Sequence, residues 1–489
     1  MVTDAQRRFV EEGSFEPAAL DGLRGMPSVR AKLERLIGML RRYRELSGEC
    51  RLPAGALFCG PPGMGKTLSA RILATESGAR LIDATLFPRS EEGWSPNDVV
   101  SLFSLAKEAY RRTGRVVILH FEEISDLCET EGDREKREVR TALLSELDGM
   151  GGRAEGVFVV ACTNRPPGCL PYALQRPGRL SEVVEFAIDR QGQREVLEYY
   201  LGKKPVAEGV DPELLSSALP SDLSPAAIEE VVEGAHYLAL LEGKGAIERG
   251  HLVSSLLPRI LGSIQGAWSS RQERWVACVH EAGHAAVARA LGVGVRLVVV
   301  PREHYRRGIT LVDYGPGPHP RGSNELKICV GLAGKAAEEL VFGEPTLDEP
   351  LDVGWVTRLS LDHFAKHSPD TNYCTVDLAI ELDPLDPDFS ILRPPPEAER
   401  AEIYSRARQL RASCLERARR ILREVGREGV EGLARELWER EFLFGREVDG
   451  ILSPWLEPRA SKPEGRIPDE PGGPRAPPLP PPIPRTPEP

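Results

Sequence analysis

Paired cysteines are missing from this chain. Nine cysteines are scattered over 489 residues, an odd number with no C-x-x-C pair. That spacing excludes a disulfide framework and a cysteine zinc site, and it fits a reducing, cytoplasmic setting. Long apolar runs are missing too. The most apolar stretches, Val157–Ala161 and Val295–Val300, fall far short of the ~20 residues that cross a bilayer. The polar start, Met1–Phe15, has no apolar core of a signal peptide, so no direct membrane insertion is expected. Basic excess is absent as well: the formal net charge is -11. Nucleic-acid affinity comes largely from neutralised phosphates, so a nucleic-acid partner is excluded. No internal repeat is visible.

What is present is an ordinary globular balance, 41% apolar and 28% charged residues, in a chain long enough for two to four domains. Gly55–Phe58, Arg80–Ile82, Val116–His120 and Val157–Ala161 read as buried strands with helical patterns between them. Such alternation predicts a parallel sheet with helices on both faces. From Gln191 to about Ser263 the pattern is helical with Pro and Gly breaks, and the polar stretch Ala267–Arg274 reads as a linker. From Trp275 to Leu456 it is mainly helical, with a strand pair near Val295–Pro301 and Gly308–Val312 and strong helical patterning over Pro396–Leu443. After Pro458 the chain is dense in Pro, Gly, Arg and Glu and is expected to be disordered. Within it, Pro477–Pro484 suits polyproline II and an SH3-like partner, or is simply a solvated tail. The expected divisions are a tail over residues 1–15, an α/β domain over 16–190, a small helical domain over 191–263, a linker over 264–274, a mainly α-helical domain over 275–456 and a Pro-rich tail over 457–489.

Gly60-Pro61-Pro62-Gly63-Met64-Gly65-Lys66-Thr67 fits G-x-x-x-x-G-K-[ST], follows a predicted strand and opens a predicted helix. Glycines let backbone N–H groups curl around phosphates, and the helix N-terminus adds positive potential. Lys66 is then expected on the β- and γ-phosphates of ATP and Thr67 on Mg²⁺. Glu122 and Glu123 close a predicted strand, with Glu122 expected in the Mg²⁺ shell and Glu123 orienting the attacking water. Asp usually stands at the first of these positions. The extra methylene of Glu122 matters because Mg²⁺ demands near-ideal octahedral geometry.

His280-Glu281-Ala282-Gly283-His284 fits H-E-x-x-H. On a helix the two histidines share a face and can bind one Zn²⁺. Glu281 then stands beside a water acidified by the metal, placed to take its proton and later deliver it to a leaving amine. The apolar, helical flank Val276–Ala286 suits a buried metal helix. A third ligand is needed. Asp352, Asp348, Glu349 and Glu338 are the candidates downstream. His363 and His367 share the same spacing, but no Glu follows His363, so an exposed or supporting role is expected for both.

The series Gly60–Thr67, the Glu122-Glu123 strand, Glu146–Met150, Ala161–Pro166 and Leu174–Arg179 resembles the AAA ATPases in order and spacing. Joined to H-E-x-x-H and to Gly331–Gly343, it resembles the FtsH family of ATP-dependent zinc metalloproteases over about Phe15–Leu443. The resemblance implies a P-loop AAA+ α/β domain with a helical lid, then a zinc metallopeptidase domain. It makes Asn164 the sensor that polarises the hydrolytic water and Arg179 the finger that reaches a neighbour's γ-phosphate, hence a closed ring, a homo-hexamer. Leu23-Arg24-Gly25 corresponds to the segment that holds adenine. The helix Gly331–Gly343 fixes the register of Leu347–Ser360, so the resemblance selects Asp352 as third zinc ligand and leaves Glu338 and Glu339 on a solvated helix face. The strand pair after the motif helix corresponds to an edge that can take a peptide as an added strand.

The chain departs from that family in places. Its membrane helices are not present, which gives the expectation of a soluble variant. A second finger is replaced by Glu182, the wrong charge for a developing phosphate anion. The pore-loop aromatic is offset, in Glu91-Glu92-Gly93-Trp94, so Trp94 is either a substrate grip or a half-buried loop residue. The segment Asp370–Pro395 does not follow the family. The function implied is unfolding and translocation of protein substrates with ATP, and peptide hydrolysis at zinc. The departures keep open a nucleotide-gated peptidase with a weak motor and a catalytically inert ring scaffold.

Overall fold

The computed structural model describes residues 3–12, 15–89, 93–128, 134–150, 155–262, 266–315, 322–346, 350–365 and 397–456. It divides into two compact units, Met1–Arg274 with Arg296–Leu311, and Trp275–Val295 with Val312–Pro489.

The first unit is built on a five-stranded sheet of order β2-β3-β4-β1-β5. The strands are β1 Gly55–Cys59, β2 Arg80–Asp83, β3 Val117–Phe121, β4 Val157–Thr163 and β5 Glu182–Glu185. Every pairing is parallel. Residues of β1, β3 and β4 are buried throughout, as expected of strands covered on both faces. Two clusters fill those faces, one around Phe103 and Leu147, the other around Leu33 and Phe158. β5 was not legible as a strand: it has four residues and a Glu at each end, and it pairs only at the sheet edge.

Because the strands run parallel, β1, β3 and β4 all end on one side. Cys59 pairs with Thr163, and Phe121 with Ala161. The P-loop, Glu122-Glu123 and Asn164 therefore leave the sheet together, at the carboxyl ends where open α/β sheets place their ligands. Gly63 and Gly65 hold φ of 75° and 86°, a conformation other residues resist, and the helix Lys66–Ser77 starts immediately after. The same unit contains the helices Arg190–Leu201, Pro212–Ala218, Pro225–Leu241 and Arg249–Leu261. Asp189, Asp211 and Ser224 cap the first three through side-chain oxygens, and Pro opens the second and third. That is the order of signals expected at helix starts.

The second unit is helical. The motif helix Arg271–Ala290 begins inside the stretch read as a linker and is buried from Cys278 to Ala288. Around it stand Gly322–Gly331, Ala333–Phe342, Pro350–Ala365 and Glu397–Arg440. Strands β6, Gly294–Val299, and β7, Ile309–Asp313, fall mostly within the Arg296–Leu311 part of the first unit, are neighbours in a small sheet and match the predicted pair closely. Among the described residues no helix is long and apolar enough to cross a membrane. The Pro-rich tail and Asp370–Pro395 lie outside the described residues.

Candidate nucleotide site and metal centre

A cavity of about 1050 Å³ opens at the carboxyl end of the sheet. Gly63–Leu68, Glu122, Glu123 and Asn164 line it on one side, and Tyr199, Lys203 and Glu229 from the helical region on the other. Its size suits a nucleotide. Lys66 Nζ donates to Gly60 O at 2.7 Å, Pro61 O at 2.9 Å and Asn164 Oδ1 at 2.8 Å. Burial lowers the Lys66 pKa from its usual value, against the pull of Glu122 and Glu123. The ammonium is thus parked on acceptors that a phosphate can replace.

Thr67 Oγ1 donates to Glu122 Oε1 at 2.6 Å, so the hydroxyl and carboxylate expected around Mg²⁺ already touch. His120 Nε2 lies 2.9 Å from Glu122 Oε2. The His120 hydrogen bond, then Thr67, hold the Glu122 carboxyl below its usual range against the cost of burial. Glu123 accepts from Thr163 Oγ1 at 2.9 Å, from the Asn164 N–H at 3.2 Å and from the Ser125 hydroxyl. Partial burial opposes its charge, and these bonds overcome it and lower its pKa. Both carboxylates are therefore ionised and held in place.

Arg179 forms a two-pronged pair with Asp148, both contacts at 2.6 Å, and also donates to Ala173 O. Its guanidinium is engaged within its own chain. Glu182 lies in β5, paired with Ala56. Gly25 has φ 73°, and a Cβ there would lie 2.3 Å from Gly192 O. Gly25 thus permits a close backbone crossing, while its neighbours Leu23, Arg24 and Met26 line the cavity. Of the offset pore segment, Glu91 and Glu92 lie outside the described residues. Trp94 stacks on Phe87 at 6.1 Å, leans on Phe121 at 5.9 Å and carries Arg89 on its ring. It packs against the core, the half-buried alternative of the two expected.

In the helical unit, His280 and His284 sit one turn apart with ring centroids 4.7 Å apart. Their Nε2 atoms lie 2.9 and 3.0 Å from the same oxygen, Asp352 Oδ2. The other ring nitrogens are also held. His280 Nδ1 meets Glu338 Oε1 at 2.5 Å, and His284 Nδ1 meets Val330 O at 2.6 Å. Those partners occupy Nδ1 of both rings and aim Nε2 at Asp352, the atom that would ligate a metal. A Cβ on Gly334 would lie 2.3 Å from His280 Nε2, so the facing helix must be bare there. Burial disfavours charge on His280, but bonds to Asp352 and Glu338 prevail and raise its pKa to about 10. The same balance, again led by burial with Asp352 opposing, raises His284. Burial would favour a neutral Asp352, yet the two imidazoles hold its carboxyl far below the usual range. Two imidazoles and one carboxylate converging on one point fit the donor set of a catalytic zinc. Glu281, 6% exposed, follows His280 on the same helix.

One expectation is corrected here. Glu338 is not on a solvated face: it is 1% exposed, bonded to His280 and to the Thr346 N–H and hydroxyl at 2.6 and 2.8 Å. Glu339, its neighbour, does face outward and pairs with Arg419 at 2.7 Å. His363 is buried, at 2% exposure, so of its two expected roles the exposed one does not hold. Asp348, Glu349 and His367 lie outside the described residues. His120 went unremarked in the sequence. The available signal was a histidine inside a continuously apolar strand, since a buried polar group needs a partner.

Two family models match the chain. One, described as ATPase family associated with various cellular activities (AAA), covers residues 56–188, and the other, Peptidase family M41, covers residues 267–451. The ATP-dependent zinc metalloprotease FtsH of Thermotoga maritima is 30% identical over 433 residues, 83% of this chain and 68% of that protein. FtsH 2 of Sphaerobacter thermophilus is 30% identical over 90% of this chain and 68% of its own length. FtsH 1 of Symbiobacterium thermophilum is 32% identical over 88% of this chain and 72% of its own length.

Proposed function

Because the chain belongs to the FtsH family of ATP-dependent zinc metalloproteases, we propose that it unfolds protein substrates with ATP and hydrolyses their peptide bonds at a zinc centre. The observation that carries this is the convergence of His280 Nε2, His284 Nε2 and Asp352 Oδ2 on a chain that also presents a P-loop over a nucleotide-sized cavity. In this reading residues 16–190 are the motor's large domain, 191–263 its lid, 264–274 a linker and 275–456 the peptidase.

On the motor side, Lys66 exchanges Gly60 O, Pro61 O and Asn164 Oδ1 for the β- and γ-phosphates, and backbone N–H groups of Gly63–Thr67 cradle them. Thr67 and Glu122 would hold Mg²⁺, which when bound would supply positive charge to offset the charge developing on the phosphates. Glu123 orients the attacking water, with Asn164 beside it. Arg179 must exchange Asp148 for a neighbour's γ-phosphate, which makes a homo-hexameric ring part of the proposal.

On the peptidase side, His280, His284 and Asp352 would hold Zn²⁺. When bound, Zn²⁺ supplies Lewis-acid polarisation of the scissile carbonyl and lowers the pKa of a water toward about 7. Glu281 accepts the proton of that water and passes it to the leaving amine. Glu338 and Val330 O keep the two imidazoles in the tautomer that binds. Seven unbridged cysteines among the described residues support a reducing, cytoplasmic setting.

The test is degradation of a folded, tagged protein with ATP by wild type, Lys66→Ala and Glu281→Gln. Both variants should lose degradation, and Glu281→Gln alone should keep ATP hydrolysis. Equal degradation by all three would sink the proposal. The packing of Trp94 against Phe87 and Phe121 favours one second reading, a nucleotide-gated peptidase that pulls weakly.

A further inference from the structure

One cluster outside the zinc centre brings together three different metal-binding groups. His120 on β3, Cys162 on β4 and Glu122 just past β3 each present one ligand atom, all within 4.8 Å of one another. His120 Nε2 is 3.4 Å from Cys162 Sγ and 2.9 Å from Glu122 Oε2. The register explains the meeting. His120 pairs with Val160 in parallel strands, so His120 and Cys162 lie on one sheet face, two residues out of step.

Around a tetrahedral zinc with Zn–N and Zn–O near 2.0–2.2 Å and Zn–S near 2.3 Å, neighbouring donors stand about 3.3–3.6 Å apart. The His120–Cys162 distance of 3.4 Å matches that spacing and the His120–Glu122 distance of 2.9 Å is somewhat shorter, so seating an ion requires Glu122 to shift outward from His120. Its chemistry is selective, since thiol and imidazole favour zinc-like cations over Mg²⁺, which seeks oxygen. It borders the nucleotide cavity, which Glu122 and Cys162 line; Cys162 and His120 are buried, at 1% and 2% exposure, and are held in place by their strands.

We propose that His120, Cys162 and Glu122 form a second, inhibitory site for a thiophilic divalent cation of the zinc class, which withdraws Glu122 from Mg²⁺ and halts ATP hydrolysis. On binding, the Cys162 S–H bond breaks and its proton leaves to solvent, His120 binds as neutral imidazole through Nε2, and no electron is transferred. Without the ion, Glu122 accepts from Thr67 at 2.6 Å, its partner in the proposed Mg²⁺ shell. The inhibition rests on Glu122 belonging to the Mg²⁺ shell; the binding does not.

The full chain loaded with Co²⁺ tests the binding. Thiolate-to-cobalt absorption reports this site, because His280, His284 and Asp352 offer no sulfur. The band should appear in wild type, His284→Ala and Lys66→Ala, and vanish in Cys162→Ser. His120→Asn serves if the serine variant does not fold. ATP hydrolysis at fixed Mg²⁺ and rising buffered Zn²⁺ tests the coupling. Loss of even an outer-shell partner costs about 10–100-fold in metal affinity, so Cys162→Ser should raise the half-inhibiting Zn²⁺ by at least about tenfold. No band in wild type, or an undiminished band in Cys162→Ser, overturns the site. A band with zinc-indifferent hydrolysis overturns the inhibition and the Glu122 assignment together. Failure of the motor reading is separate, seen as unimpaired hydrolysis by Lys66→Ala.

Discussion

At His280 the two ring nitrogens meet different carboxylates, Glu338 at Nδ1 and Asp352 at Nε2. The first orients the ring, and the second shares its ligand direction. Glu338→Gln keeps the length of the side chain but weakens the acceptor for the imidazole N–H. It should reduce zinc affinity about 10–100-fold, measured as zinc retained against a chelator of known affinity. Gly334→Ala acts on the same ring by volume. Its Cβ would lie 2.3 Å from Nε2 and 2.4 Å from Cε1 of His280, in a site with no free space, so the variant should fold but lose zinc and peptide cleavage together. Unchanged zinc content in the alanine variant would show that the ring can retreat. The histidines were legible because i and i+4 share a helical face. Asp352 was not legible from spacing, being far away in sequence, and only the resemblance selected it. Glu338 and Glu339 are adjacent, and sequence cannot say which of two consecutive carboxylates a short helix turns inward.

At the scale of elements, continuous apolar runs marked β1, β3 and β4 clearly, because strands buried on both faces tolerate little else. The edge strand β5 needed no such run and gave no signal. The helix Glu397–Arg440 shows the opposite limit. Its sequence reads as one uninterrupted helix, yet Gly426 breaks it with φ 78° and ψ 157°. Strong helix formers on both sides, Arg423, Glu424, Arg427 and Glu428, hide the break. Nothing lies within 4 Å of a Cβ built there, so Gly426→Ala meets only backbone strain. The cost should be about 1–3 kcal/mol, read as a lower urea midpoint for loss of the peptidase unit's helical signal. An unchanged midpoint would mean that the helix straightens through the substituted position at no cost.

For the whole molecule, the order of motifs on one chain was the legible part, since the P-loop and H-E-x-x-H each place their ligands within a single turn of backbone. How strongly the motor pulls on a substrate was not legible, because pulling depends on loop contacts and, in the proposed ring, on neighbouring chains rather than on a local motif. The proposed function gives the two activities separate metal requirements, zinc for cleavage and Mg²⁺ for hydrolysis, which makes them separable by chelation. A strong zinc chelator with Mg²⁺ in excess should abolish peptide cleavage and leave ATP hydrolysis at least at its starting rate, with cleavage restored by added Zn²⁺. If hydrolysis falls in parallel, the zinc centre and the nucleotide site are one cooperative device. Substrate choice then decides between a full motor and a gated peptidase. A motor engaged with its substrate degrades a stably folded protein, and Lys66→Ala should stop that while a short unstructured peptide is still cut. A gated peptidase cuts the peptide only with nucleotide bound and spares the folded protein in every case. Arg179 sharpens the distinction. Its guanidinium is bound to Asp148 within the subunit, so hydrolysis that depends on a neighbour should rise steeply with protein concentration as rings assemble. Arg179→Ala should abolish that rise and leave the slow rate of dilute subunits unchanged.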